Sequence, residues 1–131
     1  MRKSEYKLVE AALEVRLRAY APYSGFKVGA AILTDTGEIF TGCNVENASY
    51  GATICAERNA VAAAVAAGAR GFVRLAIATG SSPPSPPCGL CRQVLGEFNP
   101  RLGLLLVNHR GQLIRTTLTR LLPSPFRSIP E

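Results

Sequence analysis

Histidine is almost absent from this chain: His109 is the only one, and it stands beside Arg110-Gly111, where a surface turn residue is expected and not a ligand or a base. Long apolar runs are missing too. Arg and Glu interrupt the N-terminal segment, and Gly and Arg bound the alanine-rich one, so nothing reaches the ~20 residues that cross a bilayer and no membrane partner is expected. The opening Met1-Arg2-Lys3-Ser4-Glu5 has no apolar signal core or small-residue cleavage site behind it, so a cytoplasmic protein is expected. Lys and Arg outnumber Asp and Glu by 15 to 9, for a formal charge of +6, yet no run of five or more Lys and Arg occurs. Charge scattered in this way belongs to a solvated surface, and nucleic acid is not an expected partner. No internal repeat is visible. What is present, 131 residues of which 47% are hydrophobic and 18% charged, suits one buried core and a single domain over 1–131.

Periodicity gives the order of elements. Leu8, Ala11, Ala12, Val15 and Ala19 recur at helical spacing over about 4–20, with Ser4 as N-cap and Pro22 as stop. A turn at Pro22 to Gly25 leads into an apolar strand from Phe26 to Leu33, covered on both faces. Asp35-Thr36-Gly37 predicts a hairpin whose second strand, Glu38 to Asn44, returns antiparallel. Val45 to Gly51 reads as a polar loop, and Thr53 or Ile54 to Ala67 as a helix capped by Gly68, with Cys55, Glu57 and Arg58 in its first turn. Phe72 to Thr79 is a second apolar strand. Gly80 to Pro87, with four prolines in eight residues, is irregular and delivers Cys88 and Cys91 to a helix that runs to about Phe98 and stops at Asn99-Pro100. Leu102 to Val107 and Gln112 to Thr116 are short strands, Thr117 to Leu122 one helical turn, and Pro123 to Phe126 an extended tail. Five strands with helices between them predict an α/β fold, a three-layer α-β-α sandwich around a mixed sheet.

The chemistry concentrates in Cys55-Ala56-Glu57-Arg58 and Pro87-Cys88-Gly89-Leu90-Cys91. A Cys-Xaa-Xaa-Cys pair aims two thiolates at one point, and a third Cys completes most of a tetrahedral zinc shell. A thioredoxin-like redox pair is the competing reading. Glu57 separates the two, since it stands close enough to Cys55 to reach a water on the metal and too close to serve comfortably as a fourth ligand. Three thiolates around a divalent ion leave excess negative charge, which weakens a Lewis acid. Two features offset it: both segments lie at helix N-termini, and Arg58 can donate to a ligand sulfur. If Cys43 joined, the shell would be closed and structural. In its strand Cys43 shares a face with Ile39 and Thr41, and the open-site logic of catalytic zinc leaves it a small buried hydrophobe.

Cys-Xaa-Glu followed by Pro-Cys-Xaa-Xaa-Cys is the signature of zinc-dependent nucleobase deaminases. Together with Tyr23-Ser24-Gly25-Phe26-Lys27-Val28-Gly29-Ala30-Ala31, with Gly42-Cys43-Asn44-Val45-Glu46-Asn47-Ala48-Ser49-Tyr50-Gly51, and with Leu121-Leu122-Pro123 and Phe126, it makes the chain resemble the small, single-domain, zinc-dependent cytidine deaminases over nearly its whole length. The resemblance implies one zinc per subunit on Cys55, Cys88 and Cys91, with Glu57 shuttling protons. Water would add to C4 of the pyrimidine and ammonia would leave, converting cytidine and deoxycytidine to uridine and deoxyuridine in pyrimidine salvage. It also implies that Asn44 and Glu46 bond the ribose 3'-hydroxyl, that Phe26 packs against the base and that Ala56 belongs to the substrate site. A homotetramer with shared sites is implied as well, with Tyr50 and Phe126 at positions contributed across subunits.

Physical chemistry adds two points to that resemblance. A carboxylate at Glu46 accepts from a hydroxyl but repels a phosphodiester, which favours a free nucleoside over one within a nucleic acid. Phe126, in a proline-flanked tail, has no local core to enter and needs a surface to cover. One departure stands out: the family usually carries Ser-Pro-Cys where this chain has Pro86-Pro87-Cys88, with Ser85 one place further back. The carbonyl at position 86, aimed in the family pattern at the substrate's amino group, survives, and a side-chain hydroxyl there does not. The alternatives are a deaminase of another cytosine nucleoside such as blasticidin S, a nucleic-acid-binding deaminase, and a structural zinc module.

Overall fold

The computed structural model describes residues 1–129, and the last two positions of the expected 1–131 domain lie outside the described residues. Helix α1 (Lys3–Arg16) is followed by the strands β1 (Gly29–Thr34) and β2 (Ile39–Cys43), then by helix α2 (Ala56–Ala66) and strand β3 (Phe72–Thr79). Helix α3 (Gly89–Phe98), strands β4 (Gly103–Asn108) and β5 (Leu113–Thr117) and a final helical turn α4 (Leu118–Leu121) complete the order. The five strands form one sheet in the order β2-β1-β3-β4-β5. Only β3 and β4 run parallel, joined through α3; the other neighbours are antiparallel.

Alternation along the strands sends side chains to two apolar layers. Ala31, Ala76, Ala78, Leu105 and Val107 meet Leu8 and Ala12 of α1 on one face. Ala30, Ile32, Leu75, Ile77, Leu104 and Leu106 meet α2 and Leu95 of α3 on the other. The result is the three-layer α-β-α arrangement with a five-stranded mixed sheet. Its α2 side is built on small residues: Ala56, Ala60 and Ala64 are fully buried. A Cβ placed on Gly42 would fall against the backbone of Ala60, Ala56 and Asn59, so β2 and α2 touch main chain to main chain.

Both ends of α1 and the start of β1 are among the boundaries that differ from the sequence reading. Helix α1 is capped at Arg2, whose N–H donates to Glu5 Oε1 at 3.1 Å, and Ser4 lies inside it. It ends at Arg16, six residues short of Pro22, because the following stretch pairs elsewhere: Tyr20 N–H donates to Asn44 O at 3.0 Å, and Glu46 N–H to Tyr20 O at 2.9 Å. The first strand begins at Gly29 and not at Phe26, since a side chain, Asn44, takes the backbone groups a neighbouring strand would have used. The hairpin at 35–37 is present, and Gly37 adopts φ +89°, which glycine reaches without steric cost. Among the described residues no helix is long and apolar enough to cross a membrane.

Candidate active site

Cys55 and Cys88 occupy equivalent places. Each is an N-cap in extended conformation, Cys55 with φ −71° and ψ 155° before α2, Cys88 with φ −68° and ψ 169° before α3. The sequence placed Cys55 inside the first turn; as N-cap it sits one step earlier, at the positive end of the α2 dipole. Cys91 follows in the first turn of α3 and is fully buried. The three Sγ atoms all lie within 4.8 Å of one another, and Cys55 Sγ is 3.8 Å from Cys88 Sγ. With Zn–S bonds of about 2.3 Å, a tetrahedral shell has sulfur edges of about 3.8 Å, so the donor set fits one zinc ion. Cys43 stays outside the cluster. Its strand neighbour Gly42 faces α2, which turns the Cys43 side chain toward the α1 layer with Ile39, and its carbonyl accepts from Asn59 Nδ2 at 2.8 Å.

The thiols are electrostatically unequal. A hydrogen bond from Cys91, joined by the nearby Arg58, holds Cys55 down at about 5. The bond to Cys55 and burial push Cys91 up. Arg58 Nη2 stands 3.7 Å from Cys55 Sγ and donates to Thr53 O at 3.3 Å, so the guanidinium lies against the Cys55 sulfur. Glu57, 5% exposed, is pushed up to about 7, chiefly by burial and further by the negative charge on Cys55.

Of these groups Cys55, Glu57 and Cys88 line a cavity of about 270 Å³, at the small end of ligand sites, and Cys91 and Arg58 are not among its lining residues. Its lining brings Cys55, Ala56, Glu57 and Cys88 together with Phe26, Asn44 and Glu46 and with Thr79, Ser85 and Pro86. Phe26 is 43% exposed within this lining, so its ring has a free face. Asn44, by contrast, is 8% exposed and has both ends of its amide engaged: Oδ1 accepts from Val28 N–H at 2.8 Å and Nδ2 donates to Phe26 O at 2.8 Å. Glu46 accepts from Tyr23 N–H at 2.9 Å, from Ser24 N–H at 3.1 Å and from the Ser24 hydroxyl, bonds that hold its carboxyl below the usual range. Both side chains therefore splint the segment that carries Phe26.

Two predicted site residues lie apart from this cavity. Tyr50 is 81% exposed in the lining of an adjoining hollow shared with Ser24, Glu46 and Thr53. Phe126 is 63% exposed beside Gly96 and Pro100, its backbone clipped to Gln93 by bonds of 2.7 and 3.1 Å. Sequence reasoning missed Ser24, Thr79 and Ser85 as cavity residues. A hydroxyl in a turn or between prolines carries no signal of what it faces.

Comparison with known proteins points one way. Residues 2–105 match the family described as the cytidine and deoxycytidylate deaminase zinc-binding region. A cytidine deaminase of Sporosarcina psychrophila is 46% identical over 121 residues, covering 92% of this chain and 89% of that protein. One from Halalkalibacterium halodurans is 44% identical over 120 residues, 91% of each. The crystal structure of cytidine deaminase from Burkholderia pseudomallei superposes with a TM-score of 0.90 at 48% identity, covering 96% of this chain and all 100% of that one.

Proposed function

The chain belongs to the cytidine and deoxycytidylate deaminase family, and from that membership we propose that it is a zinc-dependent enzyme that hydrolyses cytidine and deoxycytidine to uridine and deoxyuridine. The observation that supports this most is one cavity lined by a buried carboxyl, Glu57, and by Cys55 and Cys88, two thiols of a three-thiol cluster that Cys91 completes. Zinc held by Cys55, Cys88 and Cys91 supplies a Lewis acid that brings the pKa of a water to about 7.

Glu57 takes one proton from the attacking water on a carboxylate oxygen and passes it to the pyrimidine ring nitrogen, then takes the second from the oxygen now on C4 and passes it to the amine, which leaves as ammonia. A carboxyl raised to about 7 is matched to both directions of that transfer at neutral pH. Phe26 and Ala56 hold the base between them. The Pro86 carbonyl accepts from the amino group that leaves. Asn44 keeps one N–H and one lone pair beyond its two backbone bonds, and Glu46 keeps lone pairs beyond its three, enough to bind the ribose 3'-hydroxyl while splinting the Phe26 segment. Arg58 offsets the charge of the thiolates. A single domain over 1–131 assembles as a homotetramer in which Tyr50 and Phe126 complete a neighbour's site, and four free thiols suit the reducing cytoplasm.

The test is the ultraviolet absorbance of cytidine mixed with purified protein. Conversion should occur, stop with a zinc chelator and resume on zinc addition. Glu57→Ala should keep its zinc and fold and lose about 10²–10⁴-fold in rate. Blasticidin S and cytosine-containing oligonucleotides, assayed alongside, should be poorer substrates than cytidine and deoxycytidine. No conversion of cytidine by the zinc-loaded protein would overturn the reading.

A further inference from the structure

The cavity wall at Ser85 and Pro86 belongs to a segment that cannot support itself. Pro83, Pro84, Pro86 and Pro87 have no N–H to donate, so the stretch makes neither helix nor strand. Its two ends are held by different parts of the fold. At the Cys88 end Arg92 is the anchor: Nε donates to Pro87 O at 2.8 Å and the backbone N–H to Cys88 O at 3.0 Å. At the other end the anchors are Thr79 and Asn108, the last residues of the parallel strands β3 and β4, which sit opposite one another in register.

Both are 2% exposed. Thr79 Oγ1 accepts from Ser85 N–H at 3.3 Å and lies 3.0 Å from Ser81 Oγ, which in turn lies 2.6 Å from Ser85 Oγ. Asn108 Nδ2 donates to Ser81 O at 2.9 Å and to Gln112 Oε1 at 2.6 Å. The other end of the same amide, Oδ1, accepts from Arg110 N–H at 3.0 Å and Gln112 N–H at 3.1 Å, which shapes the β4–β5 turn. Thr79 and Ser85 line the cavity, whereas Asn108 is not among its lining residues.

We propose that Asn108 is a positioning residue for the substrate cavity: through Ser81, and the hydroxyls of Ser81, Ser85 and Thr79, it fixes the wall at Ser85 and Pro86. The proposal rests on reading the cavity as the cytidine site. It assigns the amide's oxygen to the turn and shares its nitrogen between the wall, at Ser81 O, and the turn, at Gln112 Oε1. Because the zinc ligands are held separately, by the two helix starts and Arg92, loosening this wall weakens substrate binding and spares the metal.

Asn108→Asp divides the two duties. The remaining oxygen still accepts from the Arg110 and Gln112 N–H groups, and the Gln112 amide can turn its nitrogen toward the second oxygen, whereas the Ser81 carbonyl cannot adapt and is left facing that oxygen. Zinc content should stay near wild type, the melting temperature should fall by a few degrees because a carboxyl is now buried against the Ser81 carbonyl, KM for cytidine should rise about tenfold, the equivalent of one hydrogen bond, and kcat of the folded protein should stay within about threefold. Thr79→Val should give the same split, with KM restored in Thr79→Ser, and the two defects should not add in the double variant. The Thr79 pair decides the matter if Asn108→Asp does not fold. An unchanged KM, or joint loss of kcat and zinc, overturns the proposal. Should the wild-type protein fail to turn over cytidine, the reading of function falls instead. The anchoring is then judged by hydrogen exchange of the 80–88 peptide, where about tenfold faster exchange in Asn108→Asp supports it and equal exchange overturns it.

Discussion

Arg58 carries the sharpest electrostatic demand at the residue scale. Its Nη2 reaches Cys55 Sγ and Thr53 O, yet its Nε is buried with no hydrogen-bond partner among the described residues. A buried guanidinium N–H without a partner is costly, and the thiolate charge beside it is what offsets the cost. Arg58→Ala should therefore leave three thiolates facing zinc with less compensation. The expected loss is about 10–100-fold in kcat/KM for cytidine, with zinc still bound under saturating metal, and Arg58→Lys should recover only part of it because a point charge replaces the planar fork. Steady-state kinetics beside a zinc titration checks this, and full activity in Arg58→Ala would contradict it. The residues of the metal cluster were readable in the sequence because their relation is short: Cys55 to Arg58 is one helical turn, and Cys88 to Cys91 another. Ser24, Thr79 and Ser85 were not. Ser24 meets its partner Glu46 from 22 positions away, and no local pattern encodes that distance.

Elements were legible where local and tertiary preferences agree. Strand β3 spans Phe72–Thr79 as its apolar run predicts, and α3 stops at Phe98 before Asn99-Pro100. Where a distant partner competes, the pattern misleads: Leu17 to Ala19 keep helical spacing, but Tyr20 bonds to Asn44 and Glu46 and the helix ends early. The contact of β2 with α2 shows how an element sets the site. Gly42 lets Ala56 and Ala60 approach its backbone, and this approach fixes where α2 starts and hence where Cys55, Glu57 and Arg58 stand relative to Asn44. Gly42→Ala puts a methyl group into main chain that has no flexible end to yield. It should lower stability by about 2–3 kcal/mol, measured by urea unfolding, and reduce activity in the remaining folded protein. An unaltered midpoint would mean that the helix shifts freely.

Two features act across the molecule. The first ties its ends together: Glu5 of α1 is 4% exposed and paired with Arg115 of β5, which, with the Arg2 N–H, lowers its carboxyl from 4.5 to about 2. A depressed carboxyl adds stability that is complete above about pH 4.5 and is lost as the pH falls through about 2. Glu5→Gln should lower the melting temperature by a few degrees at pH 5–7, about 1 kcal/mol given that half of Arg115 is in water, with the difference closing toward pH 2. A constant difference across that range would show that the ion pair is not its source. The second feature is what the single chain leaves uncovered. Tyr50 at 81% exposure and Phe126 at 63% line two separate hollows, one beside Glu46 and Thr53, the other against α3. If each is buried by a neighbouring subunit at that neighbour's cavity, dissociation removes part of every site at once. Specific activity should then fall on dilution in step with the drop from tetramer to monomer mass seen by light scattering, and Phe126→Ala should move both transitions to higher protein concentration. A monomer with undiminished activity would leave the two aromatics as surface residues and make the cavity of one chain sufficient by itself.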